Sequence, residues 1–426
     1  MSSESSINEL SNSSAIGLCW TEETPIRKLY RGIHKLSTFC LPFLTICFSG
    51  EFEKVVISLH TFDTEYINTP YNMSHSKNNM TALLFIFAML ITGNSIAADL
   101  VVQESGPVGT YTSIGAAVAA STDGDRIIIN NTVSGFPWTE DIVINKTLTF
   151  LSAADNQRFV VQGDYTIQHA PGREVTIIGM DNVAGSISSI SNGGTARTLV
   201  NIMWCKLTSG NINLNHDYFE LNLASSEILA GGDVTFRYGK VIGNQLSSST
   251  VTVNTDALAG IDSVHIVGNM GVDRINCAST SHYMYVSNNS LYATSYGIYV
   301  SNLKVGTGTN VIRNNSIRTN AEGIRILSGV SGGLLIYNNI LADAGYADYG
   351  IRNLSVSLTN LIVSYNFIYS AFDNGTLTGV TNDGTNTISG SVGLNSDGSS
   401  SWTGTIDGGN PGTADYDLNL TRNDPG

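Results

Sequence analysis

Tyr283-Met-Tyr-Val-Ser-Asn-Asn-Ser-Leu-Tyr-Ala-Thr-Ser-Tyr-Gly-Ile-Tyr-Val300 is the stretch whose reading decides the fold. Its core, Asn288-Asn289-Ser290-Leu291, returns as Asn314-Asn315-Ser316-Ile317, Asn338-Asn339-Ile340-Leu341 and Tyr365-Asn366-Phe367-Ile368, each after a short apolar, β-branched run. The second Asn recurs at intervals of 26, 24 and 27. A second motif keeps step: Tyr296-Gly297-Ile298-Tyr299, Glu322-Gly323-Ile324-Arg325 and Tyr349-Gly350-Ile351-Arg352, at intervals of 26 and 27. Self-similarity at this period marks a solenoid, whose units cannot bury an apolar face alone and must stack.

Each repeat holds runs of three to five apolar-alternating residues between Asn and Gly, and long amphipathic helical periods are absent, so the spacing predicts parallel β-coils rather than an α-solenoid. Asn at a strand end tolerates the left-handed backbone region and can bond to neighbouring backbone, so Asn269, Asn289, Asn315, Asn339 and Asn366 are expected to stack as a structural ladder. Weaker copies lie upstream at Gly243-Asn244, Ser225-Ser226 and Trp204-Cys205. The coils are thus read from about Leu199 to Ser370, with a continuous core starting near Ile127.

The N-terminal side reads differently. Ser113 caps a short helical run ending at Ala120, followed by the turn Asp123-Gly124-Asp125, the strand Arg126-Ile127-Ile128-Ile129, Trp138-Thr139-Glu140 and two more strands near Ile142–Lys146 and Leu148–Leu151. This order, together with the Asn-punctuated coils, resembles the pectin-lyase-like superfamily of right-handed parallel β-helices, and among them bacterial secreted β-helix repeat proteins. The resemblance covers about Ala98 to Ser370. It implies an all-β, right-handed, single-stranded parallel β-helix with a short N-terminal capping helix, and Glu140 as a structural residue bonding to turn backbone.

Within that family the hydrolases, esterases and lyases act on acidic polysaccharides. Asn254-Thr255-Asp256 matches the first motif of the polygalacturonase-like hydrolases, but no Asp-Asp pair or Gly-His-Gly follows, and Arg325-Ile326-Leu327 stands where Arg-Ile-Lys is expected. Inverting hydrolysis needs a second carboxylate across a water, so Asp256 is read as a turn residue. The esterase motifs are absent beyond Trp138-Thr139-Glu140. A lyase would need a Ca²⁺ cluster and an Arg base; Asp262, Asp273, Glu322, Asp343 and Asp348 with Arg313, Arg318, Arg325 and Arg352 are the residues available, and Ca²⁺ enters only with that reading. His216, His265 and His282 lack metal-ligand spacing, so neither a cofactor nor a metal site is assigned.

The favoured reading is a carbohydrate-binding or cell-surface adhesion module, with a polysaccharide lyase or hydrolase as the alternative. Because equivalent positions on successive coils stack, Arg325 and Arg352 should lie one above the other, with Tyr299 and Tyr349 beside them, as a face for a sugar acid. Cations and rings are expected to recur in step only there, and the competing reading is an outward ladder screened by Glu322 and Asp348.

The net charge is −14, the pI near 4.8 and only 21 residues are Lys or Arg, which disfavours nucleic acid and anionic lipid as partners. Met73 to Ala97 carries a polar start with Lys77, an apolar run from Ala82 to Ile91 and Ser95-Ile96-Ala97, the pattern of a secretory signal and too short for a bilayer span. The expected organisation is therefore 1–72 as a disordered, over-extended gene start, 73–97 as signal peptide, 98–372 as β-helix and 373–426 as a turn-rich, truncated C-terminal segment. The expected product is a secreted or surface-exposed bacterial monomer whose partner is a polysaccharide or cell-surface glycan. Cys205 and Cys277 lie about three coils apart, too far to bridge, and are expected as buried apolar side chains.

Overall fold

The computed structural model describes residues 97–390 except 261, 346 and 370, together with Leu394 and the strands Leu44–Phe48 and Val55–Leu59. Those two strands pair antiparallel, Leu44 opposite Leu59 and Phe48 opposite Val55. The expectations for 1–72 otherwise lie outside the described residues, as do those for the signal peptide up to residue 96. No helix among the described residues is long and apolar enough to cross a membrane.

From Asp99 to Ser389 the described residues form a parallel β-solenoid. Twelve strands form one lateral face, here face A, running from Asp99–Val102 to Leu358–Ser364. A sheet of twenty-one strands forms the other two faces. Face B runs from Trp138–Thr139 to Thr387–Ser389, and face C from Ile142–Ile144 to Gly375–Thr378. The long strands Gln245–Asn254 and Met270–Ala278 pass through the corner and serve both.

The period-2 alternation of each run decides what is inside. On face A the inward column is one residue per coil, Leu100, Ile127, Phe150, Ile177, Ile202, Leu223, Val241, Ile266, Val286, Ile312, Ile336 and Val363, each the register partner of the next. All of them join a single core. Stacking like on like at about 4.8 Å lets each coil bury the apolar rim of its neighbour, which no coil could do alone. Cys205 and Cys277 are free and buried in this core, and burial pushes their thiols up to about 11 and about 12.

The corner between faces A and B explains the Asn signature. Asn288, Asn314, Asn338 and Tyr365 sit at φ 57°, 53°, 56° and 55°, in the left-handed region, and the following Asn points inward. Asn315 Nδ2 donates to Asn339 Oδ1 at 2.9 Å, to Val286 O at 3.1 Å and to Arg313 O at 2.9 Å, while its Oδ1 accepts from Asn289 N and Nδ2 at 3.1 and 2.9 Å. The same bonds link Asn244, Asn269, Asn289, Asn315, Asn339, Asn366 and Asn386 without a break. Ser226 and Cys205 continue the column: Ser226 N donates to Asn244 Oδ1, and Cys205 N to Ser226 Oγ.

The second motif has a steric cause. A Cβ on Gly297, Gly323 or Gly350 would lie 2.7, 2.6 or 2.5 Å from the carbonyl oxygen of Gly323, Gly350 or Thr376 on the next coil. Gly323→Ala should therefore destabilise the fold by about 1–3 kcal/mol, read as a lower urea midpoint at unchanged slope.

The helix spans Ile114–Ala120 with Ser113 as its N-cap, and buries Ile114, Ala117 and Val118. Glu140 holds its first turn, Oε1 accepting from Ile114 N and Oε2 from Gly115 N, both at 2.8 Å. Lys146 Nζ closes the other end by donating to the carbonyls of Val118, Ala119 and Ser121.

Two expected boundaries move, one at each end. A strand, Asp99–Val102, precedes the helix and pairs with Arg126–Ile129, so the solenoid begins before the capping helix rather than at Ile127. At the other end Gly375–Thr378 and Thr387–Ser389 continue faces C and B beyond 372, and Asn386 extends the ladder. The turn-rich composition there reflects short strands between long connections. The rest of the segment from 391, apart from Leu394, lies outside the described residues.

Candidate functional site

Face C carries the residues that the repeat brought together. The strands Tyr296–Val300, Glu322–Ile326 and Tyr349–Asn353 pair in register, so Tyr299, Arg325 and Arg352 form one outward column, and Tyr296, Glu322 and Tyr349 a second column whose middle member is buried. Arg325 and Arg352 are thus direct neighbours. Their like charges would repel at this spacing, and Glu322 sets them in place. Its side chain is 4% exposed, and Oε1 lies 3.4 Å from Arg325 Nη1 and 3.0 Å from Arg352 Nη1.

The aromatic rings complete the arrangement. Arg325 Nη1 also donates to Tyr296 Oη at 2.8 Å, and its guanidinium stands 4.9 Å from the Tyr296 ring centroid. Arg352 stands 4.3 Å from the Tyr349 ring. Tyr299 packs on Tyr296 with centroids 5.5 Å apart. Two cations and one carboxylate leave this group with an excess positive charge on a chain of net −14. The two arginine side chains keep 22% and 28% of their surface exposed, although both Nε atoms are buried. Ring faces and preorganised guanidinium edges are the surfaces that hold a carboxylate or sulfate on a sugar ring.

The Asp348 carboxylate accepts from Asn374 Nδ2 at 2.8 Å. Tyr296 belongs to the site as much as Tyr299 does. Its place in the same motif position as Glu322 and Tyr349 was the signal for it. Cations and rings also recur elsewhere: on face A Arg313 lies 5.2 Å from the Tyr285 ring and 5.9 Å from Tyr337, and on face B Arg318 lies 5.3 Å from Tyr292. What distinguishes face C is the pair of stacked arginines on a shared buried carboxylate, not the recurrence alone.

Asp256 lies in a turn, as expected, but is buried there. Its carboxylate is fully buried and Oδ2 meets Arg197 Nη1 at 2.8 Å, 59 residues away in sequence. Oδ1 accepts from Tyr218 N at 3.2 Å, and His282 Nε2 lies 3.7 Å from Oδ2 and 3.4 Å from Arg197 Nη2. Tyr238 covers the group, 3.9 Å beneath the Arg197 guanidinium and 4.6 Å from the His282 ring. Burial would push the Asp256 carboxyl up, but His282, the Tyr218 N–H and Arg197 overcome it and hold the pKa at about 2. A carboxylate locked in this way ties three loops together and offers no proton to a substrate. Among the described residues no three His, Cys, Asp or Glu side chains gather in a set that could hold a metal ion.

No known protein family, curated protein or solved structure matches this chain.

Proposed function

We propose that this chain is an extracellular glycan-binding β-solenoid of the pectin-lyase-like kind, which holds acidic polysaccharide along face C. The observation that carries the reading is the pair Arg325 and Arg352, stacked on successive coils, each seated on a Tyr ring and both fixed by buried Glu322. Fixing the guanidinium groups before a ligand arrives lowers the ordering cost of binding. A linear uronate or sulfated glycan lying along the solenoid axis would meet one outward residue per coil, Tyr299, Arg325 and then Arg352. The contacts are few and partly solvated, so affinity should fall in the micromolar to millimolar range.

A screen of the exported protein against acidic and neutral polysaccharides tests the reading, following both retention and the release of reducing or unsaturated ends. Retention by polyuronates without new ends is the expected result. Release of ends would replace it with a lyase or hydrolase, and retention by neutral glycans alone would remove face C from the account.

A further inference from the structure

Trp204 occupies a position that the fold gives, apart from Tyr365, to small or turn-forming residues. At the A–B corner the equivalent residues are Gly179, Ser225, Gly243, Gly268 and Asn288, all at positive φ, and Trp204 shares their left-handed backbone at φ 54°. A bulky aromatic there is strained, and strain that a fold retains is a pointer to function. The residue is 37% exposed, and the coil beneath makes room for it: a Cβ on Gly179 would lie 2.9 Å from Trp204 Cε3 and Cζ3. Its neighbour Met203, at the end of the face A strand, is also exposed.

On the face B side stands a polar row. Asp181, Lys206 and Glu227 are successive register partners, with Lys206 Nζ 3.6 Å from Asp181 Oδ2. Arg158 reaches in from below, its Nη2 2.8 Å from Glu227 Oε1, its Nε donating to Trp204 O at 2.9 Å and its guanidinium 5.5 Å from the indole centroid. Two cations and two carboxylates cancel, unlike the cationic group on face C.

We propose that Trp204 is a stacking platform for a neutral pyranose ring, with Arg158, Glu227, Lys206 and Asp181 bonding its hydroxyls. An indole face matches the apolar face of a pyranose, and paired charges offer donors and acceptors to hydroxyls without selecting a charged sugar. This site stands apart from face C and does not rest on the reading made there.

The test titrates the full chain with neutral β-1,4-linked glucose and xylose oligosaccharides and with polygalacturonate, following tryptophan emission and retardation in glycan-containing gels. The expected result is a saturable emission change with a neutral oligosaccharide, affinity kept within about tenfold by Trp204→Phe, and a loss of at least about tenfold in Trp204→Ser at an unchanged melting temperature. Serine is the residue at the same turn one coil on, so the backbone accepts it. Should Trp204→Ser not fold, acrylamide quenching of the parent decides: shielding by the neutral sugar supports the site and its absence overturns it. No saturable change, full binding by Trp204→Ser, or a response to polygalacturonate alone would also overturn the proposal.

Discussion

Replacing Asp256 by Asn should lower the unfolding free energy by about 3 kcal/mol, because it leaves Arg197 beside His282 without its counter-charge. Three loops lose their common partner at once: those carrying Arg197, Tyr218 and His282. The linkage to pH follows from the depressed pKa. The folded carboxyl titrates at about 2 against an ordinary 3.8, so its contribution is fully present above the ordinary value and is lost as pH falls from about 4 to about 2. Urea unfolding of parent and Asp256→Asn between pH 2 and 7 checks both statements. The parent should lose stability across that acid window, and the difference between the two proteins should shrink there. A difference that does not vary with pH would show that the charge of Asp256 is not what stabilises the corner.

Asn315→Ala should cost nearly as much, on the order of 3 kcal/mol, although Asn and Ala differ little in apolar surface. The substitution deprives Asn289 N and Nδ2 of an acceptor, and Val286 O and Arg313 O of a donor, in a position closed to water. Asn386→Ala should cost less, because Asn386 ends the described ladder and is 9% exposed. Chemical denaturation of the two variants gives the comparison directly. Equal and near-zero losses would mean that water replaces the amide chain.

The ladder was legible in the sequence because its spacing tolerates irregular coils. Connections vary so that successive ladder residues from Asn269 to Asn366 lie 20, 26, 24 and 27 apart, yet the doublet of a left-handed residue and an inward Asn recurs each time; Asn386 follows Thr385, which is not left-handed, and was not legible. The Gly-Ile motif was legible for a related reason, since Gly297, Gly323 and Gly350 each face a carbonyl on the next coil. Asp99–Val102 escaped notice because four residues beside an apparent cleavage site carry no period of their own; only pairing with Arg126–Ile129 makes them a strand. Asp256 was read as a turn residue, which it is, but its burial was not legible because its partners, Arg197 and His282, lie in turns whose lengths follow no repeat. Spacing along the chain cannot show which turns meet at a corner.

The candidate site divides in the same way. The column of Tyr299, Arg325 and Arg352 follows from the repeat, while the role of Glu322 depends on both arginines bending toward one carboxylate. Trp204 was visible as a degenerate ladder copy, but its backbone strain and the room left by Gly179 are properties of the stacked coils.

The central claim is that face C binds acidic glycan through stacked guanidinium groups, and the most direct measurement is isothermal titration of polygalacturonate into the parent and into the Arg325→Ala, Arg352→Ala double variant. The account predicts a micromolar to millimolar Kd for the parent and a loss of at least about tenfold in the double variant, with the parent's affinity falling as salt is raised. Equal affinity of the two proteins would contradict it and place the site elsewhere on the solenoid.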